Sequence, residues 1–363
     1  MQTSEYRQVP AISQSAIKKF RTISLLKFKE VYVDKTSEDE DSSDSLTFGS
    51  LVDTLAFEPK LFDERFYLPG RSINMPGEKM KIIVEKVYRE AKEQVETKEL
   101  LNQQGQLPEP LYIPDIREIG EFKASALKFA KEINYGGKNW GNNTIWEKIY
   151  EEGYDYFRSL ADAGGRSIID TIESADANQM VKNLRSHERS APYFVQQSGE
   201  VLLFQQEIYE DYEYEAHTIG LKCAIDILRI VPTKKIVYLV DLKTIYDVKE
   251  FWEHAKKYGY LEQMSFYRHM LRRWLQTFRG GIYKDFEIAT PFDIAIDPIS
   301  KTPNIFDFDE GDLEIIEHGS TKHKIKGWRA TLDEICWHMK NRVWNESKEM
   351  HETGRIKLKF FND

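Results

Sequence analysis

The fold is decided by GLKCAIDIL (220–228) and KKIVYLVDLKTI (234–245), two stretches rich in β-branched and other apolar residues. Pro232 marks a turn between them, so they predict two adjacent antiparallel strands. Asp226 and Asp241 are 15 positions apart (241 − 226 = 15), a spacing that fits side chains meeting across this pair. The apolar run IVYLV before Asp241 is typical of a strand in the interior of a sheet.

Further strands and helices are predicted on both sides of this pair from the spacing of apolar residues. The predicted strands are 200–210, 213–231, 234–245, 292–298 and 304–309, and the predicted helices are 12–20, one from about 49, 76–100, 120–133, 173–187, 249–278 and 328–347. Residues 36–45 and 134–144 are predicted to be loops. This order indicates an α/β protein with a mixed central sheet flanked by helices. We expect 1–195 to be a helical N-terminal region that contributes to the active site, and 196–363 to be the core.

The composition limits the class of function. The net charge is −9, from 51 Lys and Arg against 60 Asp and Glu, which argues against a protein that coats nucleic acid nonspecifically. A DNA enzyme with a local basic track remains compatible with it. Cys223 and Cys336 are too few for a disulfide framework or a four-cysteine metal site. The sequence has no apolar run of about 18 residues and no signal-peptide pattern, so we expect a cytoplasmic protein with no membrane partner.

Acidic and basic side chains are predicted to meet where the two strands pair. Asp241 and Lys243 are two positions apart on a strand, so their side chains project from the same face. With Asp226 they suit a hard divalent cation such as Mg²⁺, which prefers oxygen ligands. The main alternative is an exposed ion pair, because Asp-x-Lys is common in strands. The apolar run before Asp241 favours burial instead, where a carboxylate needs a partner or a metal.

The same residues resemble a known signature. Gly220, D-I-L and V-D-L-K-T look like the motif of PD-(D/E)xK nucleases, and Gln263 and Tyr267 match the Q-x-x-x-Y element that many exonuclease members carry. ISQSAIKKF (12–20) and FGSLVDTLAFEPKLFDERF (48–66) are similar to the opening segments of the RecE-type, exonuclease VIII-like DNA exonucleases. FDIAIDP, NIFDFDEGDLE and the closing helix resemble the C-terminal part of that family. The likeness runs along nearly the whole chain.

The resemblance implies a restriction-endonuclease-like core and a metal-dependent DNA exonuclease. Asp226, Asp241 and Lys243 would be catalytic, with Mg²⁺, which Mn²⁺ can replace, held by the two aspartates and the carbonyl of Leu242. It also implies 5′–3′ digestion of double-stranded DNA ends in recombination, a single-strand annealing partner and a homo-oligomer. The chain departs from the family at Asp53, where relatives usually have His. An oxygen ligand there suits Mg²⁺ or Mn²⁺, and a helix carboxylate in a salt bridge is the other interpretation.

Other residues are predicted around this centre. Glu207 lies where related sequences often have an acidic residue on the first core strand, and it would either support the metal site or face solvent. Gln263 and Tyr267 share one helical face and would contact the DNA backbone or orient the lysine. Basic residues of the same helix would contact phosphates or form a solvated face: Lys256, Lys257, Arg268, Arg272 and Arg273. A second basic stretch, KHKIKGWR (322–329), offers Trp328 for stacking on an unpaired base.

Two other functions fit these residues. The first is an endonuclease of the same superfamily in repair or defence, which would cut closed circular DNA as readily as linear DNA. The second is a catalytically silent DNA-binding or assembly protein that keeps the fold. The complete set of Asp226, Asp241 and Lys243 argues against the second.

Overall fold

The structure is a computed structural model that describes residues 6, 8–37, 44–70, 75–104 and 109–356. The chain falls into two units, one joining Met1–Glu58 with Ala177–Asp363, the other comprising Pro59–Asp176. The boundary predicted between residues 195 and 196 lies inside the first of these units and does not coincide with their borders. In chain order, the second unit is an insertion in the first.

Helices dominate the first half of the chain, and strands alternate with helices in the second. The helices are α1 (Gln14–Phe20), α2 (Leu25–Phe28), α3 (Asp44–Phe57), α4 (Phe62–Arg65), α5 (Glu78–Gln104), α6 (Lys123–Glu132), α7 (Asn142–Ala163), α8 (Thr171–Ser186), α9 (Ala191–Phe194), α10 (Phe251–Tyr258), α11 (Tyr260–Trp274), α12 (Glu310–His318), α13 (Trp328–Asn341) and α14 (Lys348–Thr353). The strands are β1 (Phe66–Tyr67), β2 (Ser167–Ile168), β3 (Val201–Tyr214), β4 (His217–Val231), β5 (Ile236–Thr244), β6 (Glu287–Ile288), β7 (Phe292–Ile296) and β8 (Asn304–Asp307). Within the described ranges, none of the helices combines the length and the apolar content that crossing a bilayer requires.

The main sheet belongs to the first unit and has the strand order β3-β4-β5-β7-β8, with β6 paired to the start of β5. The β3–β4, β4–β5 and β7–β8 pairs are antiparallel, whereas β5 is parallel to both β6 and β7. Helices α10 and α11 connect β5 to β7, because parallel neighbours need a crossover connection. The predicted α/β class with a mixed sheet is therefore confirmed.

Helices cover both faces of this sheet. On one face, Met264 of α11 and Leu332 of α13 share an apolar core with Leu239 of β5. On the other face, the ring of Tyr193 in α9 packs edge-on against Tyr238, with centroids 5.9 Å apart. Successive residues of a strand point to opposite faces, so Tyr238 and Leu239 belong to different layers.

The long helix predicted for 249–278 is two helices, α10 and α11, which meet at Gly259. Its φ of +72° is left-handed, a conformation that glycine adopts without the steric cost of a Cβ. The glycine therefore ends α10 and redirects the chain into α11. Of the predicted loop 36–45, residues 38–43 lie outside the described residues, and the last two belong to α3.

The second unit consists of α4 to α7, the parallel pair of β1 and β2, and the start of α8. Its own apolar core lies between α5, α6 and α7. The helix α7 was not predicted, and the predicted loop 134–144 overlaps its start. Gly153 marks the closest approach of α7 to α5, because a Cβ there would lie only 2.7 Å from Cγ2 of Val84.

Candidate active site

The register of β4 and β5 brings Asp226 and Asp241 to opposite positions. The pair of Ile227 with Val240 ends this ladder, and the two aspartates are the next residues on each strand. Opposite residues of an antiparallel pair present their side chains on one face. Oδ2 of Asp226 also accepts a 2.9 Å hydrogen bond from the backbone N–H of Leu242, which fixes the carboxylate against β5.

A network of three side chains joins β5 to α11. Nζ of Lys243 lies 2.5 Å from Oδ2 of Asp241 and donates a 2.8 Å hydrogen bond to Oε1 of Gln263. Nε2 of Gln263 in turn donates to Oδ1 of Asp241 at 2.8 Å. The ammonium also lies 4.3 Å from the ring centroid of Tyr260. Gln263 therefore orients the lysine, one of the two roles predicted for it.

Asp53 joins this centre electrostatically from far upstream in the chain. It lies on α3, which packs against β5, and it is partly buried. Burial and the charge of Asp241 raise the pKa of Asp53 to about 7. Burial and the charges of Asp241 and Asp53 raise the pKa of Asp226 well above its ordinary value. Carboxylates that disfavour one another's charge form a site that a cation would stabilise.

Asp293 is a fourth carboxylate of the centre, and sequence analysis did not single it out. It pairs with Asp241 across the parallel β5–β7 ladder and is 0% exposed. Burial raises the pKa of Asp293, the charge of Lys243 lowers it, and the net change is well upward. Burial by itself would lower the pKa of Lys243. Three nearby carboxylates, those of Asp241, Asp293 and Asp226, outweigh it, so the pKa is raised and the ammonium stays charged.

Gln205 is a second contact that sequence analysis missed. Its Nε2 donates a 3.0 Å hydrogen bond to Oδ1 of Asp226. Its φ is +47°, and Gln205 and the opposite Asp226 are both left out of the β3–β4 ladder, in which Phe204 and Gln206 are paired. Before this break Leu203 packs against the core, and after it Ile208 does, so the alternation of β3 changes phase there. An outlying backbone beside a cluster of charges is typical of functional sites.

The donors of the cluster fit a hard divalent cation, since Asp53, Asp226 and Asp241 all offer carboxylate oxygens. In the part of the chain that the structure describes, no three Asp, Glu, His or Cys side chains are grouped closely enough to hold a metal ion as they stand. Both oxygens of Asp241 already have partners, in Gln263 and Lys243. A cation bound at Asp241 would therefore share this carboxylate with the amide of Gln263 and the ammonium of Lys243.

Two further predicted residues, Glu207 and Tyr267, lie on β3 and α11. Glu207, on β3, accepts a 2.8 Å hydrogen bond from the hydroxyl of Tyr209, and its Cα partner across the ladder is Ala224. Tyr267 is only 8% exposed and belongs to the core of the first unit. Burial, followed by the charge of Asp241, raises its pKa. Tyr267 therefore lines the interior of the centre and offers little surface to a DNA backbone.

Two predicted DNA contacts need correction. Arg268 is 1% exposed and forms ion pairs with Glu310 and Glu314, which anchor α12 to α11. Its guanidinium, with five donors and a charge that cannot be lost, is held by these acids and does not face solvent. Trp328 is also 1% exposed, and its indole N–H donates to Oγ of Ser265 at 3.0 Å. It is a core residue and offers no face for base stacking.

Exposed basic and aromatic side chains do occur together on α10. Trp252 is 64% exposed, and the Nζ of Lys256 lies 4.8 Å from its ring centroid. Tyr258 is 46% exposed, with Nζ of Lys257 at 5.0 Å. We call these four residues the α10 surface. It follows in sequence directly after the strand that carries Lys243, and Arg272 is exposed on the neighbouring helix.

No model of a protein family matches the chain, and no curated protein matches it in sequence. Among solved structures, the chain is similar to one described as the crystal structure of SSO0001, with 12% identity over 56% of this chain and 85% of that one. The TM-score is 0.21, too low to support an argument about fold or function.

Proposed function

We propose that the protein is a metal-dependent DNA nuclease with a restriction-endonuclease-like core of the PD-(D/E)xK type. The observation that carries this proposal is the position of Lys243, whose ammonium lies between Asp241 and Gln263 on the strand next to Asp226. A buried cluster of two strand carboxylates and one lysine suits hydrolysis of a phosphodiester. A surface ion pair would not need the additional hydrogen bonds by which Gln205 and Leu242 fix the two oxygens of Asp226.

Each residue of the centre has a role in this proposal. Asp226 and Asp241, with the carbonyl of Leu242 and with Asp53, would hold one or two Mg²⁺ ions, which polarise the phosphate and lower the pKa of water when bound. Lys243 orients the attacking water and balances negative charge as it develops on the phosphate. Gln263 keeps the lysine in place from α11.

The finer function rests on the resemblance to RecE-type enzymes. We propose digestion of duplex DNA from its 5′ ends, in recombination with a single-strand annealing protein. A homo-oligomer around the DNA belongs to the same proposal. The α10 surface is the proposed track for the strand that leaves the duplex, because aromatic rings stack on bases while lysines contact phosphates.

Digestion of end-labelled DNA tests the proposal. Linear duplexes labelled at the 5′ or the 3′ end, and a covalently closed circle of the same sequence, are incubated with Mg²⁺, with Mn²⁺ or with EDTA. We expect Mg²⁺-dependent release of 5′-labelled mononucleotides or short fragments from linear DNA, with the circle intact. Lys243→Met should lose at least ~10²-fold in rate. The control is Lys301→Met, which removes a lysine that follows β7 and should leave the rate unchanged.

The other outcomes separate the alternatives. Equal cutting of the circle and the linear duplex would establish the endonuclease instead. Binding of DNA without hydrolysis under any metal would establish the catalytically silent protein. Full activity of Lys243→Met would show that the reacting centre lies elsewhere.

A further inference from the structure

Asp293 has an environment that the described contacts do not explain. It is 0% exposed, and neither of its carboxylate oxygens has a hydrogen-bond partner among the described residues. A buried carboxylate in this state costs several kcal/mol unless it gains a cation, a proton or a donor. The unpartnered oxygens therefore point to a partner that arrives in another state of the centre.

Lys243 is the donor best placed to reach it. Asp241 and Asp293 are opposite one another on parallel strands, and Lys243 is two positions beyond Asp241 on the same face. The residue opposite Lys243 on β7 is Ala295, whose methyl group leaves the lysine side chain room to lean toward β7. The long, flexible lysine side chain can thus serve either carboxylate.

Asp241, the present partner of Lys243, is also a proposed ligand of the divalent cation. Both oxygens of Asp241 are occupied, one by Lys243 and one by Gln263. A divalent cation on this carboxylate repels the ammonium that lies 2.5 Å from Oδ2, so cation binding at Asp241 favours movement of Lys243 away from it. The displaced ammonium is buried and needs another anion nearby.

We infer that Asp293 is a positioning residue that receives Lys243 when Asp241 binds the divalent cation of the proposed nuclease centre. This inference rests on the proposed function for the identity of the cation. Lys243 alternates between two carboxylates on neighbouring strands: Asp241 in the structure described here, and Asp293 once the cation is held. The exchange keeps the ammonium charged and buried in both states, and it leaves Asp241 available as a ligand.

A double-mutant cycle on cation affinity tests the exchange without any substrate. Mn²⁺ binding to the full chain is measured by calorimetry for the wild type, Asp293→Asn, Lys243→Met and the double variant. With Asp293 neutralised, Lys243 stays on Asp241 and competes with Mn²⁺, so affinity should fall at least ~10-fold. In the Lys243→Met background the competitor is gone, and Asp293→Asn should change affinity less than ~3-fold.

The alternatives give different patterns. An equal loss in both backgrounds would mean that Asp293 itself binds the cation, and no loss in either would mean that it is an inert buried acid. Either result overturns the inference. Asp297→Asn is the matched control, since Asp297 is a buried carboxylate after β7 whose oxygens accept from Ile299 and Ser300. It should alter stability and leave Mn²⁺ affinity unchanged.

Folding and the proposed function are checked on the same samples. Circular dichroism and thermal unfolding establish that each variant is folded, and Asp293→Ser replaces Asp293→Asn if the latter is not. Mn²⁺ binding by a wild type that does not hydrolyse DNA would overturn the nuclease and leave the exchange supported. With hydrolysis present, Asp293→Asn should lower kcat more than KM, because the lysine is misplaced while DNA contacts remain.

Discussion

Gln205 donates a 3.0 Å hydrogen bond to Asp226 from a backbone position with φ of +47°. The left-handed conformation costs a residue with a Cβ roughly 1 kcal/mol or more, so this contact is made at the expense of stability. Activity and stability should therefore respond differently to substitutions at position 205.

Gln205→Gly and Gln205→Ala form a matched pair that separates the two effects. Both remove the amide that holds Asp226, so both should lower the rate of DNA hydrolysis roughly 10-fold or more. Glycine tolerates the positive φ and alanine does not, so Gln205→Gly should be about 1 kcal/mol more stable than Gln205→Ala. Nuclease assays and urea unfolding measure the two quantities. Equal stability of the pair would contradict the strain, and unchanged rates would contradict the role of the amide.

Gln263 should be a determinant of rate through its two hydrogen bonds, to Lys243 and Asp241. Gln263→Leu keeps the approximate size and removes both bonds, and we expect a loss of ~10- to 100-fold in activity or cation affinity. Gln276→Leu, an exposed position just after α11, is the control and should be neutral. A fully active Gln263→Leu protein would remove Gln263 from the centre.

Arg268 and Arg272 lie one helical turn apart on α11 and should behave in opposite ways. Arg268→Met removes a buried guanidinium that ties α11 to the half-exposed carboxylates of Glu310 and Glu314, and it should destabilise the fold by about 2 kcal/mol. Arg272→Met should change stability by less than ~0.5 kcal/mol. It should also weaken DNA binding and reduce the slope of log K against log salt by about one. Denaturant unfolding measures stability, and salt-dependent fluorescence anisotropy measures DNA binding, for both variants. If Arg268→Met were as stable as the wild type but bound DNA more weakly, Arg268 would be a DNA contact and not a core residue.

The α10 surface should bind single-stranded DNA. Trp252→Ala should weaken binding of a labelled oligonucleotide by about 1–3 kcal/mol, and the defect should be smaller for a blunt duplex because its bases are already stacked. Tyr112→Ala removes another exposed aromatic ring, 71% exposed in the second unit, and serves as the control. If Trp252→Ala and Tyr112→Ala weakened oligonucleotide binding equally, the α10 surface would not be a specific binding site for single-stranded DNA.

His269 should make the fold sensitive to acid. Burial, and then the charge of Arg329, lowers its pKa to about 4. Above the unfolded pKa of about 6.5, the imidazole is neutral in both the folded and the unfolded protein, so it does not make stability depend on pH. As the pH falls toward 4, only the unfolded state takes the proton, so stability decreases. His269→Gln has no group that takes this proton. Between pH 7 and pH 4.5 the free energy of unfolding should therefore fall by about 2 kcal/mol more in the wild type than in the variant.

Urea unfolding of both proteins at the two pH values isolates His269 from the carboxylates, which are common to both. A difference between wild type and variant that does not change with pH would contradict the lowered pKa. A difference of the opposite sign would place a negative partner closer to the ring than Glu317, which lies 3.8 Å away.

The centre was predictable where pairing and local spacing decide it. The turn at Pro232 and the distance between Asp226 and Asp241 set the β4–β5 register, and the two-residue spacing to Lys243 sets its face. The i, i+4 spacing of Gln263 and Tyr267 likewise sets their common face. None of these steps needs information about distant parts of the chain.

The remaining residues depend on contacts that local pattern does not contain. Asp293 reads as one polar residue in a short strand, and only the parallel pairing of β7 with β5 brings it to Asp241. Arg268 reads as one of several basic residues on a helix, and its burial depends on acids from α12. Gln205 lies in a sequence with no Gly or Asn to signal a positive φ.

The break in the β3–β4 ladder at Gln205 also bears on pairing between edge strands of different molecules. In the described sheet, β3 is an edge strand of 14 residues, long enough to act as a template for a strand from another molecule. Gln205, a left-handed residue in the first half of the strand, interrupts the flat row of backbone donors and acceptors that such pairing needs. We therefore expect Gln205, the residue that holds Asp226, also to disfavour pairing of this edge with a strand of another molecule.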